Sequence, residues 1–326
     1  MNVLVWKFGA LGDLLMCTPL LRQLRRAMPN ARITALVGQR SAAAIAGHPA
    51  CDRIETFDER ALTASGSWRL PRLMARLARA DRVFVLDKHQ VFGVIARMSG
   101  VPSRIGFDRF GEGRWHSIAV SYGAIQHEID CYLDLLAAAG HPVDASDRAL
   151  DPPRGSREEA SEALPGALPA GYRVLINAGG INARENSMVR RLPAELFDAV
   201  LQRCRELGPV VFLGSEAERE AYPTASSDVI NLAGRTTLNQ AAAVLRGARA
   251  VITTDCGLMH LAGAVGVPTL ALFGPTHPLR KCPPGARALW TDETTYDPAY
   301  ETFGKVPSGR WFERMTPDQI MAALPR

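Results

Sequence analysis

Val251-Ile-Thr-Thr-Asp-Cys-Gly-Leu-Met-His-Leu-Ala-Gly-Ala-Val-Gly-Val-Pro-Thr-Leu-Ala-Leu-Phe-Gly-Pro-Thr276 reads as strand, helix, strand. Residues 249–253 carry a short β-branched run, 258–265 are small and helical, and 268–273 are apolar and extended. Such a unit belongs in a parallel sheet, whose ligands gather at the carboxyl ends of the strands. Asp255, Cys256 and Gly257 fall at the first such end, at a helix start whose free N–H groups favour an anion. Gly274 and Thr276 fall at the second. His260 lies about one helical turn after Gly257, so its imidazole can face the same crevice. The stretch therefore predicts a phosphate cradle. Taken singly, Asp255 also suits a helix cap, Gly257 close packing and His260 a satisfied core histidine. Their joint spacing at two successive strand ends is what favours a site.

Around this stretch lie 326 residues, too many for one compact core and suited to two domains. The chain is 47% hydrophobic and 22% charged, as in a globular protein, and no apolar run approaches the roughly 20 residues of a membrane span. No cleavable signal is visible, so a cytoplasmic location is expected. The six cysteines are scattered without Cys-x-x-Cys spacing, which points to reduced thiols rather than a disulfide framework or a zinc site. A net charge of +5 suits either an anionic partner or a solvated basic surface.

The first half alternates strands and helices from residue 2 to about 150, which predicts a doubly wound parallel sheet. Its first strand runs into Lys7-Phe-Gly-Ala-Leu-Gly-Asp13. Gly9 and Gly12 allow a tight turn, and Asp13 arrives at a helix start, as an N-cap or as a reactive carboxylate. This is not Gly-x-Gly-x-x-Gly, which argues against a nicotinamide oxidoreductase. Among many arginines here, Lys88, Arg104 and Arg109 are placed at or after strand ends and are candidates for an anionic acceptor. No aromatic interleaving suggests nucleic acid.

Pro and Gly then cluster, predicting a linker over 156–171 between a first domain, 1–155, and a second, 172–305. The second domain opens with a strand ending at Asn177, followed by glycines including Gly179 where backbone can approach a ligand. A tail helix is expected within 306–326, capped by Thr316-Pro-Asp.

These motifs together resemble a family. Asp255-Cys-Gly-Leu-Met-His260, Phe273-Gly-Pro-Thr276, Gly9-Ala-Leu-Gly-Asp13, Val101-Pro-Ser-Arg-Ile-Gly-Phe107 and His127-Glu-Ile-Asp-Cys-Tyr-Leu133 resemble the segments of glycosyltransferase family 9, the ADP-heptose:lipopolysaccharide heptosyltransferases. The family has Thr where Cys256 stands. Arg190-Arg-Leu-Pro193 is similar to its Lys-x-Trp-Pro, with Arg190 replacing a phosphate-contacting Lys. Gly214 and Glu218 match a Gly-x-x-x-Glu segment near the nucleoside, and also suit a plain helix start with acids at its dipole. Gly234 and Thr236 match a segment that opens a helix toward the base and ribose.

The resemblance implies a GT-B fold: two Rossmann-like α/β domains facing across a cleft, with the tail helix packing back on the first. It implies an inverting, metal-independent transfer of heptose from ADP-L-glycero-D-manno-heptose to an anionic glycan or glycolipid such as inner-core lipopolysaccharide. Asp13 would be the general base, beside an acceptor site of Gly12, Lys88, Arg104 and Arg109. No cofactor is expected, since the ADP-sugar is a substrate. A peripheral contact with the inner membrane surface is a further expectation, and nucleic acid is not expected. The alternatives are a nucleotide-sugar epimerase of the same architecture, a silent binding protein, and a heptosyltransferase acting on a protein or small-molecule acceptor.

Overall fold

The computed structural model describes residues 1–154, 167–179, 187–223, 226–303 and 311–325. Most of the expected linker and part of the loop after Gly179 lie outside these. The chain forms two compact units, Met1–Pro153 and Arg154–Arg326.

The first unit holds six strands: β1 (Asn2–Lys7), β2 (Arg32–Gly38), β3 (Arg53–Phe57), β4 (Arg82–Val85), β5 (Ser103–Asp108) and β6 (Ile118–Ser121). All pair in parallel, in the order β3-β2-β1-β4-β5-β6. β1 is buried from Val3 to Lys7, as a strand covered by helices on both faces must be. Trp6 on β1 is fully buried in a core with Leu36, Phe57, Val83, Val85 and Phe92. The order reverses between β1 and β4, so the carboxyl ends of these two strands form the switch point where a doubly wound sheet leaves a crevice. The last residue of β1 is Lys7, and Asp87 follows shortly after β4.

The second unit repeats the plan with β7 (Arg173–Ile176), β8 (Val210–Phe212), β9 (Val229–Asn231), β10 (Val251–Thr254), β11 (Thr269–Phe273) and β12 (Arg287–Trp290), ordered β12-β11-β10-β7-β8-β9 and all parallel. Its switch point lies between β7 and β10. There the Ala178 N–H donates to Thr254 Oγ1 at 3.0 Å, and that hydroxyl donates to the Ala178 carbonyl at 2.6 Å. The two strand ends are thereby stapled side by side.

The tail helix, Pro317–Ala323, is capped by Thr316, whose hydroxyl accepts from the Gln319 N–H while the Gln319 side chain accepts from the Thr316 N–H. Its apolar face enters the core of the second unit: Ile320 and Ala323 are buried with Phe197, Val200 and Leu201 of the helix Ala194–Glu206. That face of the helix is thereby committed to the core of the second unit.

Candidate functional site

In the first unit the switch point holds a cluster of buried charge. The Lys7 ammonium lies 2.6 Å from Asp87 Oδ1 and 3.3 Å from Asp13 Oδ2. The other Asp87 oxygen accepts from the Phe8 N–H at 2.5 Å. Burial alone would lower the Lys7 pKa, but the two carboxylates outweigh it and hold the group above its usual value. Lys7 is thus a fixed cation beside Asp13. Asp13 sits in the first turn of the helix Leu11–Met16, whose N-cap is Ala10. The N-cap reading of Asp13 is therefore corrected, and Gly12 is buried one residue before it.

The three acceptor candidates are placed differently. Lys88 follows β4 and forms an ion pair with the buried Glu128, with its ammonium 4.5 Å above the Tyr122 ring. The Tyr122 hydroxyl donates to the same carboxylate at 2.6 Å. Arg109 directly follows β5, with its guanidinium 3.9 Å from Glu112 and over the Phe110 ring. Arg104 is at the wrong end. It is the second residue of β5, opposite Val83 of β4, and its guanidinium donates to the carbonyls of Val101, Pro102 and Trp115. Four residues of extended strand, about 13 Å, separate it from the carboxyl edge. Its assignment to an acceptor site is withdrawn.

In the second unit, Asp255 follows β10 and is buried, and its Oδ2 accepts from Arg190 Nη1 at 2.9 Å. The N-cap of the helix Gly257–Val265 is Cys256, without a side-chain cap bond, so Asp255 is an ion-pair partner and not a cap. Burial pushes the Cys256 thiol up to about 11, leaving it neutral, and Thr253 Oγ1 is 3.6 Å away. His260 is buried in the first turns of the same helix. After β11, the Gly274 carbonyl accepts from Trp290 Nε1 at 3.0 Å. A Cβ at Gly274 would stand 2.7 Å from the Phe312 ring, so only glycine fits without displacement. Thr276 is fully buried, and its hydroxyl has no hydrogen-bond partner among the described residues.

Other expected ligands are engaged by the protein itself. Asn177 Oδ1 accepts from the Leu192 N–H at 2.7 Å, and the Asn177 N–H donates to the Tyr222 hydroxyl at 2.9 Å, which fixes the turn carrying Arg190. Gly179 is buried just beyond. Glu218 accepts from the Ser215 N–H and hydroxyl with one oxygen and from Arg191 with the other. It closes the capping box of a short helix, so the helix-start reading describes its contacts. The Gly234 N–H donates to the Gly214 carbonyl at 3.0 Å, joining the two glycines at the ends of β8 and β9. Thr236 precedes the true N-cap, Thr237, of the helix Leu238–Gly247. The helix is therefore opened by the neighbouring threonine. Lys7 and Asp87 were not expected; a lysine ending an apolar strand and an aspartate after another were the available signals.

The sequence profile of glycosyltransferase family 9 (heptosyltransferase) matches residues 70–298. Lipopolysaccharide heptosyltransferase 1 of Pseudomonas aeruginosa is 31% identical over 299 residues, spanning 85% of this chain and 80% of the relative. The chain belongs to glycosyltransferase family 9. A shorter match, 47% identical over 64 residues, links 19% of the chain to 18% of lipooligosaccharide heptosyltransferase 2 of Haemophilus influenzae. Among solved structures, the ADP-heptose lipopolysaccharide heptosyltransferase II of E. coli superposes with a TM-score of 0.75 at 20% identity, covering 99% of this chain and 97% of that one. An E. coli heptosyltransferase solved with ADP gives 0.73 at 18% identity, with 99% and 98% covered. At these identities the likeness establishes the fold, GT-B with two Rossmann-like domains. Membership makes this chain a glycosyltransferase and favours transfer over epimerisation. Among the described residues, no helix is long and apolar enough to cross a membrane.

Proposed function

We propose that this glycosyltransferase moves a heptose from ADP-L-glycero-D-manno-heptose to an anionic saccharide of the lipopolysaccharide inner-core type, with inversion and without a metal. In this reading Asp13 takes the proton of the acceptor hydroxyl as its oxygen attacks the anomeric carbon and the bond to the diphosphate breaks. Lys88 and Arg109, each held by a carboxylate, are the cations that an anionic group of the acceptor would meet. The departing ADP is stabilised by Arg190, by the N–H groups at Gly257 and by the buried Thr276 hydroxyl, whose hydrogen bonding a ligand would complete. His260, Cys256, Gly274 and Gly179 shape the same pocket, with Gly214, Gly234 and Thr236 toward the nucleoside. Enzyme and acceptor would meet at the cytoplasmic face of the inner membrane, where exposed Trp68 and Phe110, each under an arginine, suit a peripheral contact.

The observation that carries the reading is the Arg190–Asp255 pair at the switch point of the second sheet, in a chain related along most of its length to a lipopolysaccharide heptosyltransferase. The test is ADP release from ADP-heptose and from ADP-glucose, with a deacylated inner-core saccharide, a serine-containing peptide and a small glycoside as acceptors. Release that needs both ADP-heptose and the inner-core saccharide is expected. Turnover on the peptide or glycoside alone would overturn the acceptor assignment.

A further inference from the structure

The helix Pro298–Phe303 lies beyond the motifs that define the site, yet it reaches the site's principal cation. Tyr300 is buried to 1% exposure. Its hydroxyl accepts from Arg190 Nε at 3.1 Å, and its ring lies 5.6 Å from the guanidinium carbon. The next residue, Glu301, anchors the helix: it lies 3.3 Å from Arg280, accepts from the Tyr296 hydroxyl at 2.7 Å, and accepts from the His277 N–H at 3.4 Å. His277 directly follows Thr276. One short helix is thus tied both to the turn after β11 and to Arg190.

We propose that Tyr300 is a positioning residue for the donor diphosphate, setting the plane of the Arg190 guanidinium. A lysine ammonium has no plane to set, whereas a guanidinium binds phosphate as a fork and only when oriented. Asp255 fixes Nη1 and Tyr300 fixes Nε, so two points and a ring face define the plane. The inference rests on the reading of Arg190 as a diphosphate contact.

Tyr300→Phe keeps the ring and its volume and removes only the hydroxyl. In calorimetry it should weaken ADP binding roughly 3- to 10-fold, the span of one hydrogen bond, while adenosine binding and the melting temperature stay near wild type. In an Arg190→Lys background, which lacks the Nε–H, the same change should alter ADP binding by less than about twofold, since the two effects are coupled. Equal losses in both backgrounds, equal losses for ADP and adenosine, or no loss at all would each overturn the proposal. Arg190→Ala separates the two levels of the argument. If it leaves ADP affinity unchanged, the diphosphate reading of Arg190 falls and Tyr300 with it. If it weakens ADP binding while Tyr300→Phe does not, only the positioning role falls.

Discussion

Arg190 Nη1 stands 2.9 Å from Asp255 Oδ2, and the side chains are 16% and 4% exposed. A pair this dry holds its cation in place at the head of the helix Gly257–Val265. Replacing Arg190 with Ala should weaken ADP binding by about 1.5–3 kcal/mol, the range for a hydrogen bond to a charged group. Titration calorimetry measures this directly, and an unchanged affinity would remove Arg190 from the donor site. The melting temperature should fall as well, because Asp255 is left buried without its partner.

Lys7 and Asp87 form the corresponding pair in the first unit, at 2.6 Å. Asp87→Ala leaves Lys7 with Asp13 as its remaining close carboxylate, so the loss should be partial, about 1–3 kcal/mol, as for a buried group that loses one hydrogen-bond partner. Chemical denaturation followed by tryptophan fluorescence suits the test, since Trp6 is one residue from Lys7. A loss below about 1 kcal/mol, the range of an exposed pair, would show that the pair is not buried in solution.

Much of the fold was legible because β1, β2, β4, β10 and β11 are runs rich in apolar and β-branched residues between helices. The strands β6, β9 and β12 were not, being short and only partly buried. Strand ends rich in glycine marked where the site lies. Its pairings were hidden, because Lys7 and Asp87 are 80 residues apart, Arg190 and Asp255 65, and Arg190 and Tyr300 110. Arg104 shows the limit most plainly. The sequence places it at or after a strand end, whereas it lies near the start of β5, opposite Val83, a long-range register that local pattern does not contain.

Gly234 has φ +69, and a Cβ there would stand 2.0 Å from Glu216 Oε2 and 2.8 Å from the Glu216 backbone. Gly234→Ala should therefore lower stability by roughly 1–3 kcal/mol, the magnitude of a residue forced into a sparsely populated conformation. Thermal melts compare the two proteins. Wild-type stability would mean that the turn after β9 relaxes freely.

His116 packs against Gly106, where a Cβ would lie 2.4 Å from the ring. Burial, and then the charge of Arg104, lower its pKa to about 4. The unfolded chain binds this proton near pH 6.5 and the folded chain does not, so the stabilisation is complete above about pH 6.5 and is lost as pH falls toward 4. Within that window the slope is at most about 1.4 kcal/mol per pH unit. Between pH 7 and pH 4.5, His116→Gln should lose less stability than wild type; parallel losses would assign the acid sensitivity elsewhere.

Asp13 carries the central claim. It is not the helix cap, and its carboxylate is 3.3 Å from the Lys7 ammonium. Asp13→Asn preserves the shape of the side chain, and Lys7 keeps Asp87. The measurement is transfer rate with ADP-heptose and inner-core saccharide, alongside ADP affinity and melting temperature for the same protein. Loss of the general base predicts a rate lower by about 10²–10⁴-fold with affinity and stability near wild type. Wild-type turnover in Asp13→Asn would contradict the assignment of Asp13 as the base.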